Sequence, residues 1–222
     1  MTKSSRCSKK ISNYFGIKYT VEWKNVKYPR LEFSTPILHL ILPRTIKEPR
    51  KILDSRKDWL IKKHAKIENT LKLHPELLKN CIVLGSPYTQ KLDDVKKTRE
   101  KFRRLLKKNL KPIISSFSKE LGVEPNKIFI KCQKTKWASC STKKNLSFNL
   151  KMLALPQELM EYLVYHELLH LKEKRHNSNF VRMLRKRFPN FVELEKDLFT
   201  YWFALESNKI WMQILGREGC IF

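Results

Sequence analysis

The sequence predicts an α+β fold with a β-rich N-terminal part, a small antiparallel sheet packed on a central helix, and a helical C-terminal extension. Three observations support this prediction. Short runs in which apolar and polar residues alternate, as in half-buried strands, recur within residues 17–42. A long basic helical pattern covers residues 93–121. A hairpin pattern at residues 137–150 stands directly before an apolar helix that begins near Leu155.

The N-terminal part begins with a polar, basic segment, residues 1–16, which is expected to form a flexible tail. Strands are predicted at residues 17–23, 31–33 and 37–42. Residues 48–68 follow as a single amphipathic helix with basic residues facing out. Its inward side chains are predicted to be Ile52, Leu53, Trp59, Leu60 and Ile67. A short strand over residues 81–84 and a turn at Gly85, Ser86 and Pro87 complete this part.

The middle of the chain is dominated by the basic helix of residues 93–121. Between Lys96 and Lys111 there are nine Lys or Arg residues and a single acidic residue, Glu100. Pro112 is expected to kink or interrupt this helix, because proline removes a backbone donor and clashes with the preceding turn. Gly122 is expected to end it. A strand over residues 127–132 then precedes the hairpin.

The C-terminal part carries two further helical patterns. An apolar stripe after His176 ends at Pro189, and residues 191–215 form one more helical stretch. Five aromatic residues of this last stretch are interpreted first as core and second as a partner surface; they are Phe199, Tyr201, Trp202, Phe203 and Trp211.

Three of the six histidines lie within eleven residues, two of them in the helix that follows the hairpin and the third six residues after the second of these. His166 and His170 are four residues apart, so both imidazoles face the same side of a helix and can reach one metal ion. Glu167 lies one step round the helix, where a carboxylate can hold a metal-bound water instead of binding the metal. The segment from His166 to His170 therefore matches H-E-x-x-H, the pattern of a zinc protease site.

A catalytic zinc needs one further protein ligand, and His176 is the candidate. On an unbroken helix His176 would point roughly 120° away from the pair. The sequence predicts that the helix stops: residues 172–175 place cations at a helix C-terminus, and residues 177–179 offer N-cap residues for a new helix. His176 is then expected to lie in the corner between two helices and turn back towards the metal.

The charge of the chain points to polyanionic partners. Lys and Arg number 47 against 21 Asp and Glu, a formal net charge of +26 among 222 residues. Nucleic acid is the first such partner to consider, followed by anionic small molecules and acidic protein segments, while a well-solvated lysine-rich surface is the alternative. No Trp or Tyr is interleaved in the run from Lys96 to Lys111, so any nucleic-acid binding there is expected to be electrostatic and independent of base sequence.

Cysteine usage and the N-terminus indicate the compartment. The five cysteines are scattered without a C-x-x-C pair, which is typical of reduced thiols in a cytoplasmic protein. The first residues lack the apolar core of a secretion signal, and no apolar run is long enough to span a membrane. The protein is expected to be a monomer by default.

Two stretches resemble a known family. Residues 134–141 and residues 162–180, together with the strand that carries Asn149, resemble the YgjP-like metallopeptidase-like family, a minimal zincin group related to the SprT-like and WLM proteases. The similarity extends from about Ile17 to Phe199. It implies one domain over residues 17–199, made of a β-rich part, 17–92, and a helical, zinc-binding part, 93–199. Residues 200–222 then form a C-terminal helical extension.

The resemblance implies one zinc ion held by His166, His170 and His176, with Glu167 as the general base of a hydrolase that acts on protein or peptide. It also leaves alternatives open, because members of the family have been assigned a nucleotide pyrophosphatase activity. A nucleoside triphosphate pyrophosphatase uses the same kind of metal-bound water and base. A nucleic-acid-proximal module that retains a structural zinc is the non-enzymatic alternative. The family usually has Gly where this chain has Ala138. If the backbone at this position approaches the substrate closely, the extra methyl group would narrow the site.

A peptidase also needs a donor for the oxyanion that forms on the substrate. Tyr162, Tyr165 and Arg175 are the candidates by their proximity in sequence. Tyr162 lies one turn before His166, which favours packing under the helix as its role.

Overall fold

The fold is described by a computed structural model for residues 11–33, 37–92 and 94–216. The chain divides into two compact units between His74 and Pro75. Both units contain helices and strands, so the predicted α+β class is confirmed. The predicted division of a single domain at residues 92 and 93 does not coincide with this boundary. Within the described ranges, no helix has the length and apolar character needed to cross a membrane.

Over residues 11–33 and 37–74, the first unit contains a four-stranded sheet and two helices. The strands are β1 (Ile11–Tyr14), β2 (Ile17–Lys24), β3 (Arg30–Phe33) and β4 (Leu38–Pro43). Their order in the sheet is β1-β2-β4-β3, with β2 and β4 parallel and the outer pairs antiparallel. The helices are α1 (Pro49–Asp54) and α2 (Lys57–Leu73). The three strands predicted in this region are confirmed as β2, β3 and β4.

The predicted tail is wrong for residues 11–14, which form strand β1. This strand pairs with β2, and the buried Tyr14 donates its hydroxyl hydrogen bond to Asp54 at 2.7 Å. The strand was not predicted because Ser12 and Asn13 make the segment polar, and its stability depends on the neighbouring strand. Residues 1–10 of the predicted tail lie outside the described residues.

The single helix predicted over residues 48–68 is two helices, separated at Ser55 and Arg56. Leu53, Leu60 and Ile67 are fully buried, as predicted, and their seven-residue spacing continues across the break. Apolar periodicity therefore could not reveal the interruption. Trp59, predicted to face inward, is instead 44% exposed.

The second unit contains six helices, five strands and one short 3-10 helix within its described residues. In chain order the elements are α3 (Pro75–Lys79), β5 (Ile82–Val83), β6 (Ser86–Pro87), α4 (Val95–Leu121), β7 (Ile128–Lys131), β8 (Ala138–Cys140), β9 (Leu146–Asn149), the 3-10 helix (Leu150–Ala154), α5 (Gln157–Leu169), α6 (Ser178–Arg187), α7 (Phe191–Ser207) and α8 (Lys209–Ile214). The predicted hairpin is confirmed as the antiparallel pair β8 and β9. The sheet β7-β9-β8 is mixed instead of purely antiparallel, because β7 runs parallel to β9.

Helix α4 is the longest helix of the second unit. Its apolar face, which includes Phe102, Leu106 and Leu110, is buried against neighbouring elements. Contrary to the prediction, Pro112 does not interrupt the helix. One backbone hydrogen bond is lost at the proline, but buried side chains before and after it in sequence hold the helical path. Gly122 ends the helix as predicted, in the left-handed conformation that glycine adopts without strain.

The last helical stretch is divided at Asn208, where one helix was predicted over residues 191–215. The buried Asn208 side chain accepts a hydrogen bond from the Trp211 amide and donates to the carbonyl oxygens of Leu77 and Asn80. These distant partners explain why sequence periodicity missed the break. The predicted boundary between residues 199 and 200 falls inside α7, which continues across it. Phe203 and Trp211 are buried, in agreement with the core interpretation of these aromatics.

Candidate metal centre and active site

Helix α5 carries the first two histidines of the site. It begins after Pro156 and presents a nearly continuous apolar surface to the core of the second unit. His166 lies in its last turn and His170 is the residue that caps its C-terminus. The helix does end before His176, as predicted, but it ends at Leu169, ahead of the basic residues 172–175 that were expected at its C-terminus. The backbone amides of Lys172 and Glu173 both donate to the carbonyl oxygen of Leu169.

The corner between α5 and α6 brings His176 back to the other two histidines. The Nε2 atom of His176 lies 3.1 Å from Nε2 of His166 and 3.1 Å from Nε2 of His170. All three possible ligand atoms lie within 4.8 Å of one another. Three nitrogens bound to a tetrahedral zinc at about 2.0–2.1 Å would be separated by about 3.3 Å, so this spacing fits the ion.

Hydrogen bonds around Glu173 maintain this corner. Its carboxylate accepts a hydrogen bond from the side-chain amide of Asn177 at 2.9 Å and another from that of Asn179. Asn177 also caps α6, as predicted, by accepting the Phe180 amide at 2.9 Å. The turn that carries His176 is thus held from both sides.

Phe180 forms an apolar support behind the three imidazoles. It is almost completely buried, and its ring centroid lies 5.0 Å from that of His166, 4.9 Å from that of His170 and 4.6 Å from that of His176. Such contacts restrict the rotation of each ring. The side chain that the sequence showed only as part of an apolar stripe therefore helps to orient all three candidate ligands.

Burial keeps His166 and His170 in the form that binds a metal. Burial lowers the pKa of His166 to about 4, assisted by the nearby His170 and His176, so its imidazole is neutral near pH 7. Burial also lowers the pKa of His170. Nδ1 of His170 lies 3.1 Å from the carbonyl oxygen of Glu173. Donation to that oxygen places the ring proton on Nδ1 and leaves Nε2 free to bind a metal.

Glu167 follows His166 in helix α5, and its carboxylate is in contact with strand β8. Its side chain is only 7% exposed, and burial raises the pKa of its carboxyl group to about 7. Two groups oppose this shift: the positive charge of Lys136 and a hydrogen bond from the backbone N–H of Cys140. A carboxylate with a pKa near neutrality is well matched to proton transfer at physiological pH.

Strand β8 presents an unpaired edge beside Glu167. Within the described part of the chain β8 pairs with β9 alone. The carbonyl oxygen of Trp137 and the amide of Ser141 bond to the β9 side of the hairpin. Backbone groups alternate along an antiparallel strand, so the amides of Ala138 and Cys140 point to the opposite edge. Ala138, where the family usually has Gly, is itself buried.

Three residues of the site were not assigned a role from the sequence: Lys136, Cys140 and Asn149. Asn149 donates side-chain hydrogen bonds to the carbonyl oxygens of Gln133 at 2.8 Å and Lys136 at 2.7 Å, and so fixes the loop before β8. All three lie in stretches that carry the resemblance described above. No local periodicity or spacing indicated what they contact.

The predicted oxyanion donors are not brought together at the site. The buried Tyr162 donates to a carboxylate oxygen of Glu195 at 3.0 Å, and burial together with Glu195 raises its pKa. Tyr165 is buried against the rings of Phe117 and Phe188. Both tyrosines therefore pack in the core, and packing is the role that was favoured for Tyr162. Arg175 is exposed in the corner next to His176.

Comparison with known proteins finds one family model and several solved structures that are similar to this chain. Residues 83–201 match the family model described as "YgjP-like, metallopeptidase domain". No curated protein sequence matches the chain significantly. Among solved structures, the chain is 33% identical to the metallopeptidase zymogen jannalysin of Methanocaldococcus jannaschii, with 40% of this chain and 92% of that one covered and a TM-score of 0.38. It is 29% identical to the metallopeptidase zymogen abylysin of Pyrococcus abyssi, with 40% and 91% covered and a TM-score of 0.38.

Proposed function

The chain belongs to the YgjP-like metallopeptidase-domain family, and from this premise we propose that it is a zinc-dependent peptidase. His166, His170 and His176 are the proposed zinc ligands and Glu167 the proposed general base. The observation that carries the proposal is the convergence of three imidazole nitrogens on one point beside a buried carboxylate.

The donor set fits a catalytic zinc. Three imidazole ligands leave the fourth tetrahedral position open, as in catalytic zinc sites, while structural sites use all four. When bound, zinc supplies a Lewis acid that polarises the substrate carbonyl and lowers the pKa of a water. The Glu173 carbonyl and the Phe180 ring orient the ligands for this role.

Glu167 is the residue that moves protons in the proposed reaction. Its carboxylate takes a proton from the attacking water and delivers it to the leaving amine. The Cys140 amide holds one side of the carboxylate, and the positive charge of Lys136 favours its ionised form. Both interactions favour the ionised form of the buried Glu167, which is the form that acts as a base.

The edge of β8 favours an extended peptide as the substrate. A peptide laid along this edge would pair with the outward-directed backbone groups of β8 other than the Cys140 amide, which bonds to Glu167. Backbone pairing gives affinity without requiring a particular side chain. The expected substrate is therefore an unstructured segment of protein.

The test is hydrolysis by the wild type and by Glu167→Gln, each loaded with zinc. The amide keeps the size of the side chain but cannot accept a proton from water, so the variant should keep its zinc and its fold and lose peptide cleavage. Unfolded protein and nucleoside triphosphates are offered in parallel. Release of phosphate or pyrophosphate without peptide cleavage would instead support the phosphohydrolase alternative, and turnover of neither substrate would favour a structural zinc.

A second proposal concerns nucleic acid and rests on helix α4. Of its nine basic residues between positions 96 and 111, six are exposed and lie within about 120° of the helix circumference at 100° per residue. They are Lys96, Lys97, Arg104, Lys107, Lys108 and Lys111. The remaining three bond to other residues of the chain: Arg99 to the Ile214 carbonyl, Lys101 to Gln90 and Arg103 to Glu100. We propose that the six exposed cations, the α4 basic face, contact a phosphate backbone.

A further inference from the structure

A buried ion pair links the segment after β9 to the end of helix α7. Lys151, in the 3-10 helix, is fully buried, and its ammonium group lies 2.5 Å from a carboxylate oxygen of Glu206. The Glu206 side chain is only 3% exposed. Fully buried lysines are rare, and an ion pair in the interior often contributes little net stability because both charges lose their hydration. Its presence therefore points to a role in fixing a particular arrangement.

Two tryptophans complete the surroundings of the Lys151 ammonium group. It lies 3.2 Å from the centroid of the Trp202 ring and 5.7 Å from that of Trp137. The two rings meet edge to face, with centroids 5.0 Å apart. A cation close to an indole face is attracted electrostatically by the quadrupole of the ring, whose face is negative. Lys151 thus joins Trp202 and Glu206 of α7 to Trp137.

Trp137 belongs to the segment that contacts Glu167. It stands between Lys136 and strand β8, whose Cys140 amide bonds to the Glu167 carboxylate. The carbonyl oxygen of Trp137 accepts the Asn149 amide at 2.7 Å. The Asn149 side chain in turn holds the carbonyl of Lys136. The backbone of this segment is anchored by Asn149, while its Trp137 side chain is anchored by the end of α7.

The anchoring residues on α7 lie outside the matched family region. The match ends at residue 201, and Trp202 and Glu206 follow it. We propose that Lys151, Trp202 and Glu206 form a positioning cluster that holds Lys136, Trp137 and β8 against Glu167. The C-terminal half of α7 is then part of the construction of the active site. This inference rests on the proposed peptidase function and adds positioning residues to it.

The first test is a double-mutant cycle in the full chain between Trp202→Leu and Lys136→Ala. Trp202→Leu should lower kcat for peptide hydrolysis by roughly tenfold, with little change in KM, as outer residues that orient an active site commonly do. Zinc content should stay at the wild-type level, because no ligand lies in the cluster. In the Lys136→Ala background, Trp202→Leu should lower kcat by about threefold or less, because the Lys136 side chain that the cluster positions has already been removed.

A merely structural role would give a different result: the two substitutions would multiply their effects on kcat/KM, and that outcome would overturn the proposal. Val192→Ala, an exposed change on the same helix, is the matched control and should leave kcat unchanged. Trp202→Phe keeps an aromatic ring over Lys151 and provides a milder variant if Trp202→Leu does not fold. It should lose less kcat than Trp202→Leu and show the same coupling to Lys136.

The second test does not depend on activity. Hydrogen exchange measured by mass spectrometry should show faster exchange of residues 133–140 in Trp202→Leu or Trp202→Phe, with exchange in α5 unchanged. Unchanged exchange of residues 133–140 in both variants would overturn the positioning role. If the wild type cleaves no peptide, the proposed function fails, and hydrogen exchange still decides whether the cluster holds this segment.

Discussion

At the scale of single residues, the site depends on how each donor atom is oriented. His170 is held by the Glu173 carbonyl, and all three imidazoles pack on Phe180. We expect a zinc ion bound to the three nitrogens to hold them at this spacing.

The first residue-scale prediction concerns the metal. Wild-type protein should contain about one zinc per chain that a chelator removes, and His166→Ala, His170→Ala and His176→Ala should each lose most of it, because each removes one of three ligands. The measurement is zinc content by plasma mass spectrometry after dialysis. His64→Ala, a change in the first unit, is the control and should keep its zinc. Full occupancy in the double variant His166→Ala/His170→Ala would contradict the ligand assignment.

The second residue-scale prediction concerns pH. Only ionised Glu167 accepts a proton, so kcat/KM should fall as the pH drops through its pKa. Burial raises that pKa from 4.5 to about 7, and a cation at the histidines lowers it again. The acid limb is therefore expected between these two values. It is measured from the pH dependence of kcat/KM, with zinc content determined at each pH.

The substitution Lys136→Ala tests the direction in which the acid limb of the pH profile moves. The positive charge of Lys136 lowers the pKa of Glu167, so its removal should move the acid limb to higher pH. Lys134→Ala, two residues earlier in the same loop, is the control for general loss of charge. A limb that moves to lower pH in Lys136→Ala would contradict the assignment of Glu167 as the base.

At the scale of elements, helix ends and strand edges create the site. Helix α5 ends at Leu169, which frees the chain to bring His176 back, and α6 begins at Ser178, capped by Asn177. Strand β8 lies at the edge of its sheet and donates the Cys140 amide to Glu167. The 3-10 helix and α7 anchor the loop before β8. Each functional group is thus supplied by the end of an element, where backbone donors and acceptors are not used internally.

The element-scale prediction concerns the α4 basic face. Binding of duplex DNA, followed by fluorescence anisotropy, should weaken steeply as salt rises, with a log–log slope of roughly −0.9 for each phosphate contact. Changing Lys97, Arg104, Lys108 and Lys111 to Glu should abolish most of this binding, because it reverses the charge of the proposed contact surface.

The matched control changes the net charge of the chain by the same amount elsewhere. It carries Lys18, Lys27, Lys47 and Lys62 changed to Glu, all exposed residues of the first unit. Equal loss of affinity in both variants would show that net charge alone governs binding. Absence of binding by the wild type at low salt would remove nucleic acid as a partner.

At the scale of the whole molecule, every residue of the proposed site lies in the second unit. The three histidines, Glu167, the β8 edge and the positioning cluster all follow Pro75, as does the matched family region, residues 83–201. The first unit, with its own sheet and buried leucines, contributes none of these groups.

The whole-molecule prediction follows from this division. A fragment that begins at Pro75 and runs to the last residue should fold cooperatively and bind about one zinc, because the second unit has its own hydrophobic core. Circular dichroism during thermal unfolding and zinc analysis are the measurements. The same fragment with His166→Ala and His170→Ala is the control. A fragment that remains unfolded while the full chain folds would show that the first unit is required.

The correct predictions rest on local geometry. The strands β2, β3 and β4, the helix α4 and the hairpin follow from period-2 and period-3.6 patterns, which hold whatever the rest of the chain does. The breaks at Ser55 and Asn208 were missed because the apolar pattern continues through them. The polar strand β1 was missed because its stability comes from pairing with β2.

The sequence alone determined that His166 and His170 share one face, because four residues make about one helical turn, and that Asn177 can cap a new helix. Tertiary structure decided that His176 meets them, that the Cys140 amide and the Lys136 charge act on Glu167, and that Lys151 pairs with Glu206, 55 residues later. The physical reason is the range of the interactions. A helical face is set by bond geometry within one turn, whereas contacts between distant segments depend on how whole elements pack, which no local pattern records.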